Sequence, residues 1–470
     1  MTVQQPLQSA QARLVRHYVN KLRQANAALR RGREAHDYWL TLIDQDWGQI
    51  KQWQQWTASG GEGDLERARL CAALSLAGND LLRVRQSPPE RLLWLEQALR
   101  AAGQIGDGEA ERLCLFQLGQ TLFYLGRADE AEQYGRRLLE KARAADDQPG
   151  LGHAWITLGS AALHRGTLDE AENAFRQAAG IFESLGDPIE MGRAFQGLGR
   201  AIMFRGDRAA ARPYLERYLH IVEAHGNEAE LGTACISMHN VLFNMGKIAE
   251  AKPYAERAVA ICRRTGFRRM LPSALLALGV CDAEMNDLDA AAMHLEEALA
   301  GSRAASAPGG LIDILRYLAD VRARQGNLDE TLALLEEALS LSRQGHILYY
   351  LVEVCAALVW WRAPRGELDQ ARAVLREGIT AAFEIGGEFF LVRILVAAAQ
   401  WRLNAGDPEP AARWIGLLSR YAEQAEARHI AALESALTEA LGAETFQAVY
   451  DSGRALSLHD TIRDIAQALE

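Results

Sequence analysis

The sequence predicts an all-α fold, a superhelix of about nine stacked helix pairs with a helical cap at each end. Three observations predict it. A glycine or asparagine recurs every forty residues, small residues recur at fixed distances before and after it, and the apolar residues in between are spaced by three and four. The last spacing belongs to one face of an α-helix, and the segments are too long for strands.

Eight positions, each forty residues from the next, mark the turn between the two helices of each pair. They are Gly126, Gly166, Gly206, Gly246, Asn286, Gly326, Gly366 and Gly406. Glycine and asparagine tolerate the left-handed backbone conformation that ends a helix, so this column predicts a tight turn in every pair. Further breakers between the pairs are expected at Gly186-Asp187, Gly226-Asn227 and Gly386-Gly387.

Two more columns predict where the helices approach each other closely. The position seven residues before each turn is mostly small, as at Gly119, Gly159 and Gly199, and alanine stands five residues after seven of the eight turns. A single helix pair cannot bury its own apolar face. The pairs are therefore expected to stack into a superhelix with a concave and a convex wall.

These columns resemble the tetratricopeptide repeat (TPR), and one unit shows all of them: GHAWITLGSAALHRGTLDEAENAFRQA. The repeat is stretched here to forty residues from a usual length of about thirty-four. The resemblance covers residues 66–425 and implies a right-handed TPR superhelix. Residues 66–106 keep the phase but carry Gln86-Ser87-Pro88 at the turn, which indicates a degenerate first repeat.

The two ends carry a narrower resemblance. The N-terminal segment is similar to the helical arm of bacterial STAND-class signal-transduction ATPases: RLVRHYVNKLRQANAALRRGREAHDYWLTLIDQDWGQIKQWQQW. The C-terminal segment resembles the helical ending of those proteins and of large relatives of the maltose regulon activator: ALGAETFQAVYDSGRALSLHDTIRDIAQAL. We therefore predict a helical arm at residues 1–62, a TPR solenoid at 63–425 and a helical cap at 426–470.

In that family the repeats are the sensor that receives an inducer and controls an attached ATPase domain. The chain contains no GxxxxGK[ST] loop, so the resemblance implies an ATPase or effector domain that is not in this chain. The leading interpretation is a ligand- or partner-binding sensor module of a STAND-type ATPase. A free-standing TPR scaffold that joins two proteins is the alternative, and an enzyme with an unrecognised site is a third.

The sequence offers little to support catalysis. It contains no HExxH, no GxSxG and no close cluster of cysteine and histidine, and its six cysteines form no CxxC pair. His153 and His164 lack a nearby third metal ligand. We therefore expect no enzyme, no cofactor and no metal site, and expect the cysteines to be reduced thiols in the core.

Charge and hydropathy limit the partners. A net charge of -10 argues against binding nucleic acid directly. No apolar run approaches the roughly 20 residues that span a bilayer, so no membrane contact is expected and the chain is interpreted as cytoplasmic.

The candidate site follows from the resemblance, because the first helix of each TPR pair lines the concave groove. Helical geometry places the lining side chains thirteen, ten, six, three and two residues before each turn. We select those of the central repeats: Ser160, His164, Arg193, Gln196, Arg200, Phe204, Asn240, Phe243 and Asn244. Guanidinium groups, amides and aromatic rings suit a protein, peptide or small-molecule inducer. In the simpler interpretation the arginines pair with acids on neighbouring helices and the aromatic rings pack between helices.

Overall fold

The computed structural model describes residues 4–31, 33–61, 63–225, 228–267, 270–305, 308–421 and 427–469. None of these residues forms a strand, and the prediction of an all-α TPR fold is confirmed. The chain divides into two compact units. Unit 1 comprises Met1–Met285 with Ala300–Ala307, and unit 2 comprises Asn286–Leu299 with Pro308–Glu470.

Unit 1 begins with helices outside the regular repeat and continues with helix pairs. The first group is α1 (Gln4–Arg31), α2 (Arg33–Ala58), α3 (Leu65–Leu76), α4 (Asn79–Arg85) and α5 (Pro88–Ile105). The pairs are α6 (Gly108–Tyr124) with α7 (Ala128–Ala144), α8 (Gln148–Arg165) with α9 (Leu168–Leu185), α10 (Pro188–Phe204) with α11 (Arg208–His225), and α12 (Glu228–Asn244) with α13 (Ile248–Thr265). Helix α14 (Leu271–Glu284) ends the unit, and α15 (Leu288–Ala305) contributes residues to both units.

Unit 2 continues the same alternation. Its helices are α16 (Pro308–Arg324), α17 (Leu328–Gln344), α18 (Leu348–Arg362), α19 (Leu368–Ile385), α20 (Glu388–Asn404), α21 (Pro408–Leu418), α22 (Ala427–Leu441), α23 (Ala443–Gly453) and α24 (Leu458–Leu469). Single 3₁₀ turns follow α18 and α21, at Ala363–Arg365 and Ser419–Tyr421. The predicted borders at 62 and 425 lie at or beside residues outside the described ranges, so the three-part division stays a prediction.

The predicted turn column is confirmed. All eight members have positive φ, from 65° at Asn286 to 105° at Gly206. A second column of turns lies between the pairs, and only part of it was predicted. Gly106 and Gly266 were not named although they have positive φ, and Asp146 and His346 are not glycine yet have φ values of 49° and 48°. Gly186 and Gly386 were predicted there and also have positive φ, whereas Gly226-Asn227 lies outside the described residues.

The small-residue column seven positions before the turns is also explained by contact. A Cβ added at Gly119 would lie 2.3 Å from Thr157 Cγ2, and one at Gly199 would lie 2.7 Å from Leu215 Cδ2. A larger side chain at either position would require the neighbouring side chain or helix to shift. The first helices begin at aspartates forty residues apart: Asp107, Asp147 and Asp187 each accept a hydrogen bond from the backbone N–H three residues later.

Most buried side chains are apolar. In unit 1 Phe175, Phe182 and Tyr218 are almost completely buried between the pairs. All six cysteines are buried and unpaired, as expected for core thiols. The degenerate first repeat differs from the expectation, because a seven-residue helix, α4, stands between its two helices α3 and α5.

Candidate functional site

The nine selected residues lie on three consecutive first helices of unit 1. Helix α8 carries Ser160 and His164, α10 carries Arg193, Gln196, Arg200 and Phe204, and α12 carries Asn240, Phe243 and Asn244. We call the side chains at the predicted lining positions of α6, α8, α10 and α12 the inner wall. In the structure Phe123 on α6 contacts lining side chains of α8 and α10, and the nine selected residues range from buried to exposed.

Phe123, His164 and Arg200 meet across α6, α8 and α10. The rings of Phe123 and His164 make an edge contact with 5.0 Å between centroids, and the guanidinium carbon of Arg200 lies 5.5 Å from the Phe123 centroid. Burial and, after it, the positive charge of Arg200 lower the pKa of His164 to about 4. At neutral pH His164 is therefore an uncharged imidazole that can both donate and accept a hydrogen bond.

Gln196 and Phe204 mark the middle and the end of α10. Gln196 Nε2 donates to the hydroxyl of Ser237 on α12 at 3.2 Å. Phe204 is 43% exposed, unusually high for a large apolar side chain. Ser160 contrasts with both, because it is buried and its hydroxyl donates to the Ile156 carbonyl of its own helix at 2.8 Å.

The α12 residues form a local cluster of amides and rings. Asn244 is exposed, and its Nδ2 donates to the Asn240 carbonyl at 2.7 Å. Asn240 Oδ1 lies 3.0 Å from His239 Nδ1, and the rings of His239 and Phe243 stack with centroids 5.5 Å apart. Phe243 is half-buried, so part of its ring and the Asn244 amide remain accessible at the end of α12.

Arg193 lies in a buried charge network. Its Nη2 is 2.7 Å from Glu230 Oε1, and its Nη1 pairs with Glu190 on the same helix. Glu230 also receives Arg83 Nη2 at 3.0 Å and the Tyr218 hydroxyl at 3.0 Å. Burial disfavours the charge of Glu230, but Arg193 and Arg83 hold the pKa of its carboxyl well below the usual range. Here the structure follows the simpler interpretation, in which the arginine pairs with acids on its own and the next helix.

Sequence reasoning missed the acids of this network. Glu190 and Glu230 stand forty residues apart, sixteen residues before their turns, where the lining pattern was not extended. That shared register was the available signal. No comparable signal marked Arg83, beyond the missing turn glycine near Gln86.

The described residues contain neither a membrane-spanning helix nor a cluster of metal ligands. Among the described helices, none combines the length and the apolar character needed to cross a membrane. Over the same part of the chain, no three His, Cys, Asp or Glu side chains are grouped as a set of metal ligands.

Comparison with known proteins places the repeats. The family described as the MalT-like TPR region matches residues 192–458. No curated protein matches the sequence significantly.

Solved structures share the fold at low identity. A Rap protein complexed with competence and sporulation factor is 16% identical with a TM-score of 0.55, covering 76% of this chain and 98% of its own. A STAND protein with a tetratricopeptide repeat sensor from Pyrococcus horikoshii is 15% identical with a TM-score of 0.49, covering 81% of this chain and 55% of its own. The Rap likeness shows the repeat fold. Because the family match spans more than half of the 470 residues, this chain belongs to the family of MalT-like TPR regions.

Proposed function

We propose that this chain is the ligand- or partner-binding sensor module of a bacterial STAND-type signal-transduction ATPase, with an inducer bound on the inner wall of unit 1. Membership of the MalT-like family supports a sensory role. The observation that carries the proposal is the contact of Phe123, His164 and Arg200 across three adjacent first helices. A ligand seated on all three helices is sensitive to how the repeats stack.

The chemistry of the inner wall suits a ligand with both apolar and oxygen-bearing groups. Phe204 and Phe243 offer rigid apolar surface, while Arg200 and Asn244 carry donors for carbonyl or carboxylate oxygens. The neutral His164 adds a hydrogen-bonding group without adding charge. Ser160 and Arg193 have a smaller part in this proposal, because one is buried and the other is held in the charge network.

A protein of the same fold supports the idea that such a solenoid holds a regulatory partner. The Rap protein was crystallised in complex with competence and sporulation factor. In a sensor, binding has to favour one arrangement of the repeats over another, because a ligand shifts an equilibrium only by its differential affinity for the two states. The effector that reads this shift is the ATPase domain implied by the family resemblance.

The binding site is tested by capture and titration. The tagged chain is incubated with extract, retained compounds are identified by mass spectrometry, and the affinity of each purified candidate is measured by calorimetry. Phe204→Ala should weaken binding by about fivefold or more, because truncating a central contact residue costs above about 1 kcal/mol. Leu185→Ala is the matched control, since Leu185 is 42% exposed but lies on the second helix α9. Equal affinity in both variants would move the site off the inner wall.

The sensory role is tested separately from binding. The captured ligand is added to the chain together with a STAND ATPase that co-purifies with it, and ATP hydrolysis is measured. A ligand-dependent change that Phe204→Ala abolishes supports the sensor. Tight binding with no ATPase partner and no change in hydrolysis would favour the free-standing scaffold instead.

A further inference from the structure

Arg83 joins two helices that are far apart in the chain. It lies on α4, and its Nη2 is 3.0 Å from Oε1 of Glu230 on α12, 147 residues later. Helix α4 has seven residues and no counterpart in the other repeats. A side chain from outside the regular repeats therefore contacts the first turn of α12.

The site that holds Arg83 is built from buried side chains. The Glu230 side chain is 4% exposed, and its Oε2 accepts a hydrogen bond from the buried Tyr218 hydroxyl at 3.0 Å. Arg83 and Arg193 both lie beside the Glu230 carboxylate, and the buried carboxylate of Asp80 also acts on the charge of Arg193. Removing Arg83 takes one positive charge away from these buried carboxylates, which is costly. The guanidinium of Arg83 therefore compensates part of the negative charge of the site.

The rest of α4 is fixed to the N-terminal helices. Asn26 Oδ1 on α1 accepts the backbone N–H groups of Asp80 and Leu81, at 2.9 and 3.1 Å. Leu81 and Leu82 are completely buried in the apolar cluster that α1, α2 and α3 share. Helix α4 thus packs against the N-terminal helices through its apolar side chains and contacts the repeats through the ion pair of Arg83 with Glu230.

We propose that Glu230 and Tyr218 form a guanidinium-binding site that holds Arg83 as an internal ligand, so that α4 is a latch between the N-terminal helices and α12. This inference does not depend on the proposed function, because it holds for a sensor and for a scaffold alike. A partner group that competes for Glu230 displaces Arg83, and the N-terminal helices then lose this ion pair with α12.

Hydrogen exchange tests the latch. In Arg83→Met and Glu230→Gln, amides of α4 should exchange about ten- to a hundredfold faster than in the wild type, since one charged hydrogen bond is lost. The double variant should add little, because both changes break the same contact. Amides of α8 report whether the protein stays folded. Unchanged α4 exchange in Arg83→Met would show that Leu81 and Leu82 hold the helix alone, which overturns the latch.

Arg85→Met is the matched control for that experiment. Arg85 lies two residues from Arg83 and pairs with Asp44, whose side chain is 53% exposed. Because the Asp44 carboxylate of this pair is well solvated, the loss of Arg85 should change α4 exchange by less than about fivefold. An Arg85→Met effect as large as that of Arg83→Met would contradict a specific role for Arg83.

Chemical rescue tests the guanidinium site itself. The melting temperature of Arg83→Ala is measured with low millimolar ethylguanidinium, with ethylammonium as the control cation. Binding to the folded state should raise the melting temperature of this variant with ethylguanidinium only, and not that of the wild type or of Arg85→Ala. An equal response of Arg83→Ala and the wild type would show that no vacated guanidinium site exists.

Discussion

Arg193 and Glu230 form a buried ion pair between adjacent first helices of unit 1, with Arg193 Nη2 2.7 Å from Glu230 Oε1. Both side chains are mostly shielded from water, at 19% and 4% exposure. The pair therefore fixes how α10 stacks on α12. A polar residue at a lining position can serve the stacking of the repeats and not the ligand.

Arg193→Ala and Arg200→Ala should consequently differ in stability. Arg193 pairs with both Glu190 and Glu230, so truncating it removes one ion pair from each carboxylate. Breaking a buried ion pair lowers the free energy of unfolding by about 3–5 kcal/mol. Arg200 lies over the Phe123 ring and is half-buried, so its loss should cost only about 0.5–1 kcal/mol. Denaturant unfolding followed by circular dichroism measures both. Equal free energies of unfolding would mean that the buried network stabilises the fold no more than the contact of Arg200 with Phe123 does.

Two glycine-to-alanine changes should have opposite effects. Gly166 ends α8 with a φ of 82°, where an L-residue is strained by about 1–2 kcal/mol, so Gly166→Ala should destabilise. Gly180 lies inside α9, and an added Cβ meets no atom within 4 Å. Gly180→Ala should therefore stabilise by about 0.5–1 kcal/mol through helix propensity. The melting temperatures of the two variants measure these effects. A melting temperature that changes in the same direction in both variants would contradict the prediction.

Stability should fall on mild acidification because of His164. Burial and Arg200 lower its pKa to about 4 in the folded state, whereas an unfolded histidine titrates near about 6.5. The unfolded chain thus binds the proton first. The neutral His164 therefore stabilises the fold fully above pH about 6.5, and this stabilisation is lost as the pH falls toward about 4. The free energy of unfolding should fall by at most about 1.4 kcal/mol per pH unit in that range.

The check on His164 is a set of unfolding curves between these two pH values. His164→Gln should flatten the pH dependence without abolishing it, because burial also lowers the pKa of His239 to about 4. The exposed His225→Gln serves as the control substitution. A slope that is unchanged in His164→Gln would place the titrating group elsewhere.

The purified chain should not bind ATP. The sequence encodes no glycine-rich loop that could cradle phosphates at a helix N-terminus, so we expect no calorimetric signal with Mg-ATP. Micromolar affinity would reopen the enzyme interpretation.

The sequence by itself determined the repeat and its turns. A left-handed turn residue is a local requirement, so glycine and asparagine at forty-residue intervals were enough to locate the turn inside each helix pair from Gly126 to Gly406. The turns at Asp146 and His346 were not predicted, because residues other than glycine can also adopt the left-handed conformation, at some cost in free energy. Contact glycines such as Gly119 were also visible, since close approach of helices leaves room for little else.

Only the tertiary structure decided which polar lining residues are buried and paired and which are accessible. Helical spacing placed Arg193 and Arg200 on one face, but Glu230 and Phe123, which they contact, lie on other helices. Glu230 in turn pairs with Arg83, 147 residues away in the sequence. Burial and pairing depend on which elements pack together, and α4 has no repeat partner to reveal its position. A periodic sequence pattern determines which face of a helix a side chain occupies. The energy of a charged side chain depends instead on all the groups that surround it in space.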